Sequence, residues 1–193
     1  MAEEWERQGG QLKAEYDGWE PKDYLVPEEV KALIEEANYD HHLLLVRLMA
    51  DCGLRVSEAC SADPEHLRKT EHNGIITWWL LVPHGKGDKH RRVPIPPGTA
   101  ELLQRVGNAG ITRQAIGEAI GYMAQRAGID KKRCHPHMLR HSFAVEKLKQ
   151  GMNLRNLQLI LGHAHINNTQ KYLKLAGMDI AEEDRRTPLR WKR

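Results

Sequence analysis

Apolar residues recur at helical spacing over most of this chain, and only its middle departs from that pattern. The first stripe follows Pro27 and consists of Val30, Leu33, Ile34 and Ala37, spaced as on one face of a helix. A proline followed by two glutamates is typical of a helix N-terminus. Similar stripes predict further helices over residues 41–52, 54–58, 99–105, 112–127, 136–150 and 154–161, and from about 168 onward.

Residues that favour helix ends bound several of these segments. Gly53, Gly128 and Gly162 each follow an apolar stripe, as expected of a glycine that ends a helix in the left-handed conformation. Thr112 and Asn153 precede stripes and are predicted to be N-caps, because their side chains can accept hydrogen bonds from the first turn. The helix boundaries are therefore predicted from local chemistry.

The middle of the chain is rich in β-branched and aromatic residues. Residues 75–82, with the sequence IITWWLLV, predict a strand, and residues 92–95 predict its partner. Between them lies a loop in which Gly85 and Gly87 flank Lys86. The predicted fold class is α+β, mainly helical, with a small antiparallel β-sheet or hairpin.

Length and composition favour one globular domain. The 193 residues are 40% hydrophobic, which is enough for a sizeable core. Residues 1–22 are polar and predict a tail or linker remnant, residues 23–178 the domain, and residues 179–193 a basic tail. No run approaches the roughly 18 apolar residues of a membrane span and no signal peptide begins the chain, so an intracellular, cytoplasmic protein is expected. Three cysteines without a Cys-x-x-Cys pair disfavour a disulfide framework or a thiolate zinc cluster.

Basic residues are clustered although the net charge is only +3. Any one cluster taken alone favours an ordinary solvated surface. Together they are consistent with a face that follows a phosphate backbone. The candidate DNA-binding residues are Lys89, Arg91, Arg92, Lys131, Lys132 and Arg133.

The most informative residues lie after Pro136. His137, Arg140 and His141 are spaced so that they share one face of the predicted helix, and that face is cationic where a core face would be apolar. His163 follows at a Leu-Gly-His turn, and Tyr172 lies on the last predicted helix. This layout allows three elements to converge on one anion.

Two plainer interpretations compete with an anion site. His137 and His141 have the i, i+4 spacing of a two-histidine zinc site, and Cys134 is near, but the helix lacks the glutamate of zinc proteases. Arg140 beside such ligands would repel a divalent cation. Taken singly, an interior histidine or a half-buried tyrosine is the commoner finding, and only the combination favours a site.

Five separated motifs resemble the tyrosine recombinases of the phage-integrase type. The similarity extends over about residues 24–175, and the order and spacing of the motifs match throughout. The motifs are residues 50–58 (ADCGLRVSE), 85–87 (GKG), 137–141 (HMLRH), 161–163 (LGH) and 169–172 (TQKY). The resemblance implies a tyrosine-recombinase catalytic domain that cuts and rejoins DNA.

The resemblance assigns roles to six residues. It implies that Arg55 and Arg140 hold the scissile phosphate, to which guanidinium is suited because it stays charged and offers a planar fork of donors. Tyr172 would attack phosphorus and form a 3′-phosphotyrosyl bond, with His137 as proton acceptor. Lys86 would protonate the leaving 5′-oxygen.

The sixth catalytic role is that of His163, and two further residues have supporting roles. His163 would donate a hydrogen bond to the phosphate. Glu58, one helical turn after Arg55, would orient that arginine, although an ordinary exposed salt bridge is as consistent with the sequence. His141 is expected to pack and to hydrogen-bond behind the site. No cofactor and no metal ion is implied. The phosphotyrosyl link makes ATP unnecessary, and the sequence shows no carboxylate cluster able to hold two magnesium ions.

Partners follow from the same resemblance. It implies double-stranded DNA as substrate and a homotetramer on DNA, with a free monomer also compatible, no membrane, and a location with the nucleoid. Many members carry an N-terminal DNA-binding domain that this sequence lacks, so the chain is expected to be either an excised catalytic domain or a naturally short enzyme. Residues 179–193 are expected either to dock on a neighbouring subunit or to add non-specific DNA affinity.

Two other functions remain compatible with these residues. One is a relative that binds DNA or junctions without strand exchange, and the other is a topoisomerase-like activity that nicks and reseals. The complete set of six catalytic residues disfavours a degenerate binding protein.

Overall fold

The fold combines α-helices with one small sheet in the computed structural model of the protein, which describes residues 23–83 and 90–177. The first helices lie ahead of the sheet and the others follow it. The helices are α1 (Pro27–Glu35), α2 (Asp40–Cys52), α3 (Val56–Cys60), α4 (Pro97–Val106), α5 (Arg113–Arg126), α6 (Pro136–Lys149), α7 (Leu154–Leu161) and α8 (Asn167–Leu175). The strands are β1 (Leu67–His72), β2 (Ile75–Pro83) and β3 (His90–Ile95), and a short 3₁₀ helix (Pro64–His66) precedes β1. The predicted fold class is confirmed.

The predicted helix ends are confirmed where local chemistry determines them. Gly53 and Gly162 have φ angles of 65° and 64°, the left-handed conformation that glycine adopts without strain. The Thr112 hydroxyl accepts a hydrogen bond from the Ala115 N–H at 3.2 Å, and the Asn153 side chain accepts one from the Arg155 N–H at 2.8 Å. Both N-caps therefore act as expected.

The sheet has one strand, β1, that is not among the predicted strands. β1 pairs antiparallel with β2, which pairs antiparallel with β3, so β2 is central. β1 and β2 are joined at Asn73 and Gly74, whose φ angles of 51° and 75° are those of a tight hairpin turn. The Trp79 indole N–H donates to the Thr70 hydroxyl at 2.9 Å across these strands. Pairing with β2 thus stabilises a polar segment that shows no strand pattern of its own.

The core is centred on α2, which packs against α4 and α6. Leu45, Leu48 and Met49 of α2 are fully buried, and the inward residues Leu80 and Val93 of the sheet join the same cluster. Burying such side chains is the main driving force for folding, at roughly 1.5–3 kcal/mol each. A second cluster, centred on Phe143 of α6, holds α7 and α8 against the domain.

This packing brings the end of α2 next to α6. A Cβ atom on Gly53 would lie 2.4 Å from the Phe143 ring, so only glycine allows this approach. The turn at Gly53 then leads directly into α3, and α6 and the end of α7 lie against it. Four elements therefore meet at one place. Within the described residues no helix is long and apolar enough to span a membrane.

Candidate active site

Arg140 lies at the centre of the place where these elements meet. Its side chain is on α6 and the residue is only 4% exposed. Nη1 donates to the Gly53 carbonyl and Nη2 to the Leu161 carbonyl, both at 2.7 Å, and Nη2 lies 3.1 Å from Nε2 of His163. Burial, together with the positive charge of Arg55, lowers the pKa of Arg140 to about 10, so the group stays charged at neutral pH.

Arg55 provides a second, more exposed guanidinium beside the first. It is the N-cap residue directly before α3, and its side chain is 37% exposed. Nη1 donates to Glu58 at 2.9 Å and Nη2 to the Gly162 carbonyl at 3.3 Å. Because Arg140 and Arg55 bond consecutive carbonyls, those of Leu161 and Gly162, both charges lie at the C-terminal end of α7. Such a pair can hold an anion.

Glu58 is the carboxylate that supports these cations. It accepts hydrogen bonds from the Arg55 backbone N–H at 2.7 Å and from both terminal nitrogens of Arg91, at 2.8 and 2.7 Å. Burial opposes its ionisation, but the hydrogen bonds from Arg91 and Arg55 prevail and lower the pKa of Glu58 to about 2. Glu58 is therefore an ionised anchor, with its side chain only 12% exposed.

His163 follows the left-handed turn at Gly162. Its Nδ1 lies 2.9 Å from the Thr169 hydroxyl and its Nε2 faces the donor Arg140. Since arginine can only donate, Nε2 accepts here and the proton is assigned to Nδ1. Burial and the charge of Arg140 lower the pKa of His163 to about 4, so the ring is neutral at pH 7.

Tyr172 is buried next to this histidine. The residue, on α8, is only 1% exposed, and its ring stacks on that of His163 with centroids 6.3 Å apart. Its hydroxyl lies 2.8 Å from Nδ1 of His141. Burial raises the pKa of the Tyr172 phenol, while the charges of Arg140 and Arg55 act in the opposite direction. The hydroxyl is therefore a neutral donor in this arrangement.

The histidine within hydrogen-bond distance of the Tyr172 hydroxyl is His141. It is not His137, which the family resemblance named as proton acceptor. Burial, then the charges of Lys171 and other neighbours, lower the pKa of His141 to about 4, so it can accept the phenol's hydrogen bond at pH 7. His137 is exposed, with its ring 6.3 Å from that of His135. In the sequence, the spacing that places His141 on one helical face with Arg140 and Ala144 was the feature that could have predicted its contact with α8.

The remaining candidates are distributed differently. Lys86 and Lys89 lie outside the described residues. Arg92, Lys131 and Lys132 are exposed, whereas the Arg91 side chain lies largely covered against Glu58 and Arg133 donates to Glu29 at 2.9 Å. Among the described residues, no three histidine, cysteine, aspartate or glutamate side chains are grouped to hold a metal ion.

A family model and several relatives match most of this chain. The model of the phage integrase family matches residues 23–177. A tyrosine recombinase of Pseudothermotoga lettingae is 31% identical over 172 residues, which are 81% of this chain and 58% of that protein. Tyrosine recombinase XerA of Pyrococcus furiosus is 32% identical over 86% of this chain and 62% of its own length. The chain thus spans about 60% of the length of these relatives.

Solved structures agree on the fold. A crystal structure of XerA recombinase matches with a TM-score of 0.65 and 27% identity, over 87% of this chain and 66% of that one. The catalytic domain of bacteriophage HP1 integrase matches with a TM-score of 0.61 and 24% identity, over 84% of this chain and 93% of its own. The second similarity, at that identity, concerns the fold alone.

Proposed function

The chain belongs to the phage integrase family, and we propose that it is the catalytic domain of a tyrosine recombinase that breaks and rejoins duplex DNA at specific sites. The observation that carries the proposal is the convergence of Arg55, Arg140 and His163 at the end of α7, directly beside Tyr172. The relatives from Pseudothermotoga lettingae and Pyrococcus furiosus are named as tyrosine recombinases, which supports the same reaction class.

The two arginines are proposed to hold the scissile phosphate. Each guanidinium has five N–H donors, more than its anchoring bonds to carbonyls and to Glu58 use, so donors remain for the non-bridging oxygens. Buried donors held in advance stabilise the extra negative charge of the transition state, typically by several kcal/mol. Arg55→Ala is therefore expected to abolish cleavage while leaving the fold nearly intact.

The displacement transfers one phosphoryl ester from DNA to the protein. The Tyr172 oxygen forms a bond to phosphorus, the bond from phosphorus to the 5′-oxygen breaks, and a 3′-phosphotyrosyl link results. The phenol proton goes to His137, and Lys86 supplies a proton to the leaving 5′-oxygen. Attack by a 5′-hydroxyl on the phosphotyrosine reverses these transfers and reseals a strand without ATP or a metal ion.

The buried state of Tyr172 gives the reaction a preceding step. A residue that is 1% exposed cannot meet a DNA phosphate where it lies, so the ring has to turn outward and leave His141. Losing that hydrogen bond costs about 1 kcal/mol, which phosphate binding can offset. His163 would then give up its contact with Arg140. With a proton on Nε2, it would donate a hydrogen bond to the phosphate instead.

The exposed basic residues extend the proposal to DNA binding. Arg92, Lys131 and Lys132 are open to a phosphate backbone. Lys89 is a candidate from the sequence alone, because it lies outside the described residues. Phosphate contacts supply affinity without reading sequence, so recognition of a particular site requires other groups. We further propose that four copies act together on two sites, as strand exchange between duplexes requires.

A covalent-trapping assay tests this function. The protein and its Tyr172→Phe variant are incubated without metal with a pool of nicked duplexes of varied sequence, and adducts are resolved on a denaturing gel. The proposal expects a protease-sensitive adduct with the wild type alone. DNA binding without any adduct would instead support a protein that only binds DNA. If the protein forms adducts and relaxes plasmids but does not join two sites, the result would support a nicking and resealing enzyme.

A further inference from the structure

Arg91 occupies a position on β3 that is unusual for an arginine. Alternation along the strand places it on the same face as Val93 and Ile95, which are buried, whereas Arg92 and Pro94 on the other face are exposed. The Arg91 side chain is only 9% exposed. A buried guanidinium is tolerated when its donors are satisfied, so its partners indicate what it does.

The partners of Arg91 belong to α3 and α7, two of the elements that meet at the candidate site. Its terminal nitrogens bond both carboxylate oxygens of Glu58, at 2.8 and 2.7 Å, in the planar two-point geometry that only arginine offers. Its Nε donates to the Ile160 carbonyl at 2.8 Å. The carbonyls of residues 160, 161 and 162 are thus held by three arginines in succession, Arg91, Arg140 and Arg55.

The backbone at Gly162 is built around the same side chain. A Cβ atom there would lie 2.9 Å from Cδ of Arg91 and 3.0 Å from its Nε. The two-point bond to Glu58 prevents the guanidinium from moving aside. Gly162 therefore serves both the left-handed turn before His163 and the close passage of Arg91.

We propose that Arg91 is a positioning residue: it fixes Glu58, and through it the guanidinium of Arg55, against the C-terminal end of α7. The inference rests on the proposed function, because Arg55 is there a ligand of the scissile phosphate. Arg91 itself does not touch DNA, in contrast to the surface role that its place in a basic run suggests. Replacing Arg91 is therefore expected to weaken the stabilisation of the negative charge that develops at phosphorus.

A substrate without that charge isolates this effect. In a methylphosphonate a methyl group replaces one non-bridging oxygen, so the reacting centre carries no negative charge and needs less help from a guanidinium. Covalent-adduct rates are measured with ordinary phosphate and with methylphosphonate at the same cleavage position. The proteins are wild type, Arg91→Ala, Arg91→Lys and Arg55→Ala. A matched control is Arg68→Ala, which removes an exposed arginine from β1 of the same sheet.

The expected result is a loss confined to the charged substrate. Arg91→Ala should slow cleavage of the phosphate about 100-fold, the effect of misplacing a catalytic group by about 1 Å. It should slow the methylphosphonate less than about 10-fold, as should Arg55→Ala. Arg91→Lys keeps the positive charge but loses the planar fork of donors. It should therefore also lower the ratio of the phosphate rate to the methylphosphonate rate. Arg68→Ala should leave the ratio unchanged.

Two results would overturn the inference. If either Arg91 variant slows cleavage of both substrates by the same factor, Arg91 only maintains the fold. If cleavage of neither substrate is slowed, Arg91 does not contribute to the reaction. Should Arg91→Ala not fold, the ratio for Arg91→Lys decides. If the wild type forms no adduct with any duplex, the proposed function fails and this inference fails with it. If the wild type forms adducts but the ratio of rates does not change in the Arg91 variants, the inference alone fails.

Discussion

Replacing Glu58 by glutamine should lower the free energy of unfolding, and it should lower it more at pH 7 than at pH 3. The carboxylate lies among Arg91, Arg55 and Arg140, with the last at 3.8 Å. Lowering its pKa from 4.5 to about 2 corresponds to about 3 kcal/mol of folding stability when the group is ionised. Screening at a side chain that is 12% exposed leaves about 2–3 kcal/mol.

The sign follows from the depressed pKa of the folded state. Ionised Glu58 stabilises the fold fully above its ordinary pKa of 4.5, and the effect is lost as the pH falls towards 2. The free energy of unfolding of wild type and Glu58→Gln is measured by urea denaturation between pH 3 and 7. The difference should be about 2–3 kcal/mol at pH 7 and about half of that at pH 3.

An exposed ion pair offers the control for this measurement. Glu35 lies 3.9 Å from Lys31 with 65% of its side chain exposed, so Glu35→Gln should cost less than about 1 kcal/mol. A difference for Glu58→Gln that is below 1 kcal/mol at pH 7, or that does not change with pH, would refute the account of the arginine cluster.

The remaining predictions concern packing and the tyrosine contact. Gly53→Ala should destabilise by about 2–5 kcal/mol, because a left-handed φ and a clash with Phe143 add; Gly74→Ala, with a similar φ but open space, should cost only about 1–2 kcal/mol in the same thermal unfolding assay. A double-mutant cycle of His141→Leu and Tyr172→Phe should give a coupling free energy of about 1 kcal/mol, and additive effects would contradict the 2.8 Å hydrogen bond.

Helix positions could be predicted from the sequence because their ends are determined locally. Gly53, Gly162, Thr112 and Asn153 each act through their own backbone or the adjacent turn, and all four end or begin a helix as expected. β1 could not be found from its side chains, since five of its six residues are exposed and its order comes from pairing with β2. The Asn-Gly pair at the turn before β2 was the local signal for it.

The arrangement of the site depended on contacts between distant parts of the chain. The separated motifs indicated Arg55, Arg140, His163 and Tyr172 as a group. They could not indicate which histidine hydrogen-bonds to the Tyr172 hydroxyl. Arg91 was grouped with Arg92 by charge alone. The alternation of a strand placed them on opposite faces, and burial of Val93 indicates which face is inward.

The proposed nucleophile can be identified directly by mass spectrometry of the covalent adduct. The protein is incubated with the nicked duplex, digested with nuclease and protease, and searched for peptides that carry a nucleotide. The added mass is expected on Tyr172 alone, with the other tyrosines of the chain, Tyr16, Tyr24, Tyr39 and Tyr122, unmodified. A nucleotide on any other residue, or an adduct that persists in Tyr172→Phe, would show that Tyr172 is not the nucleophile.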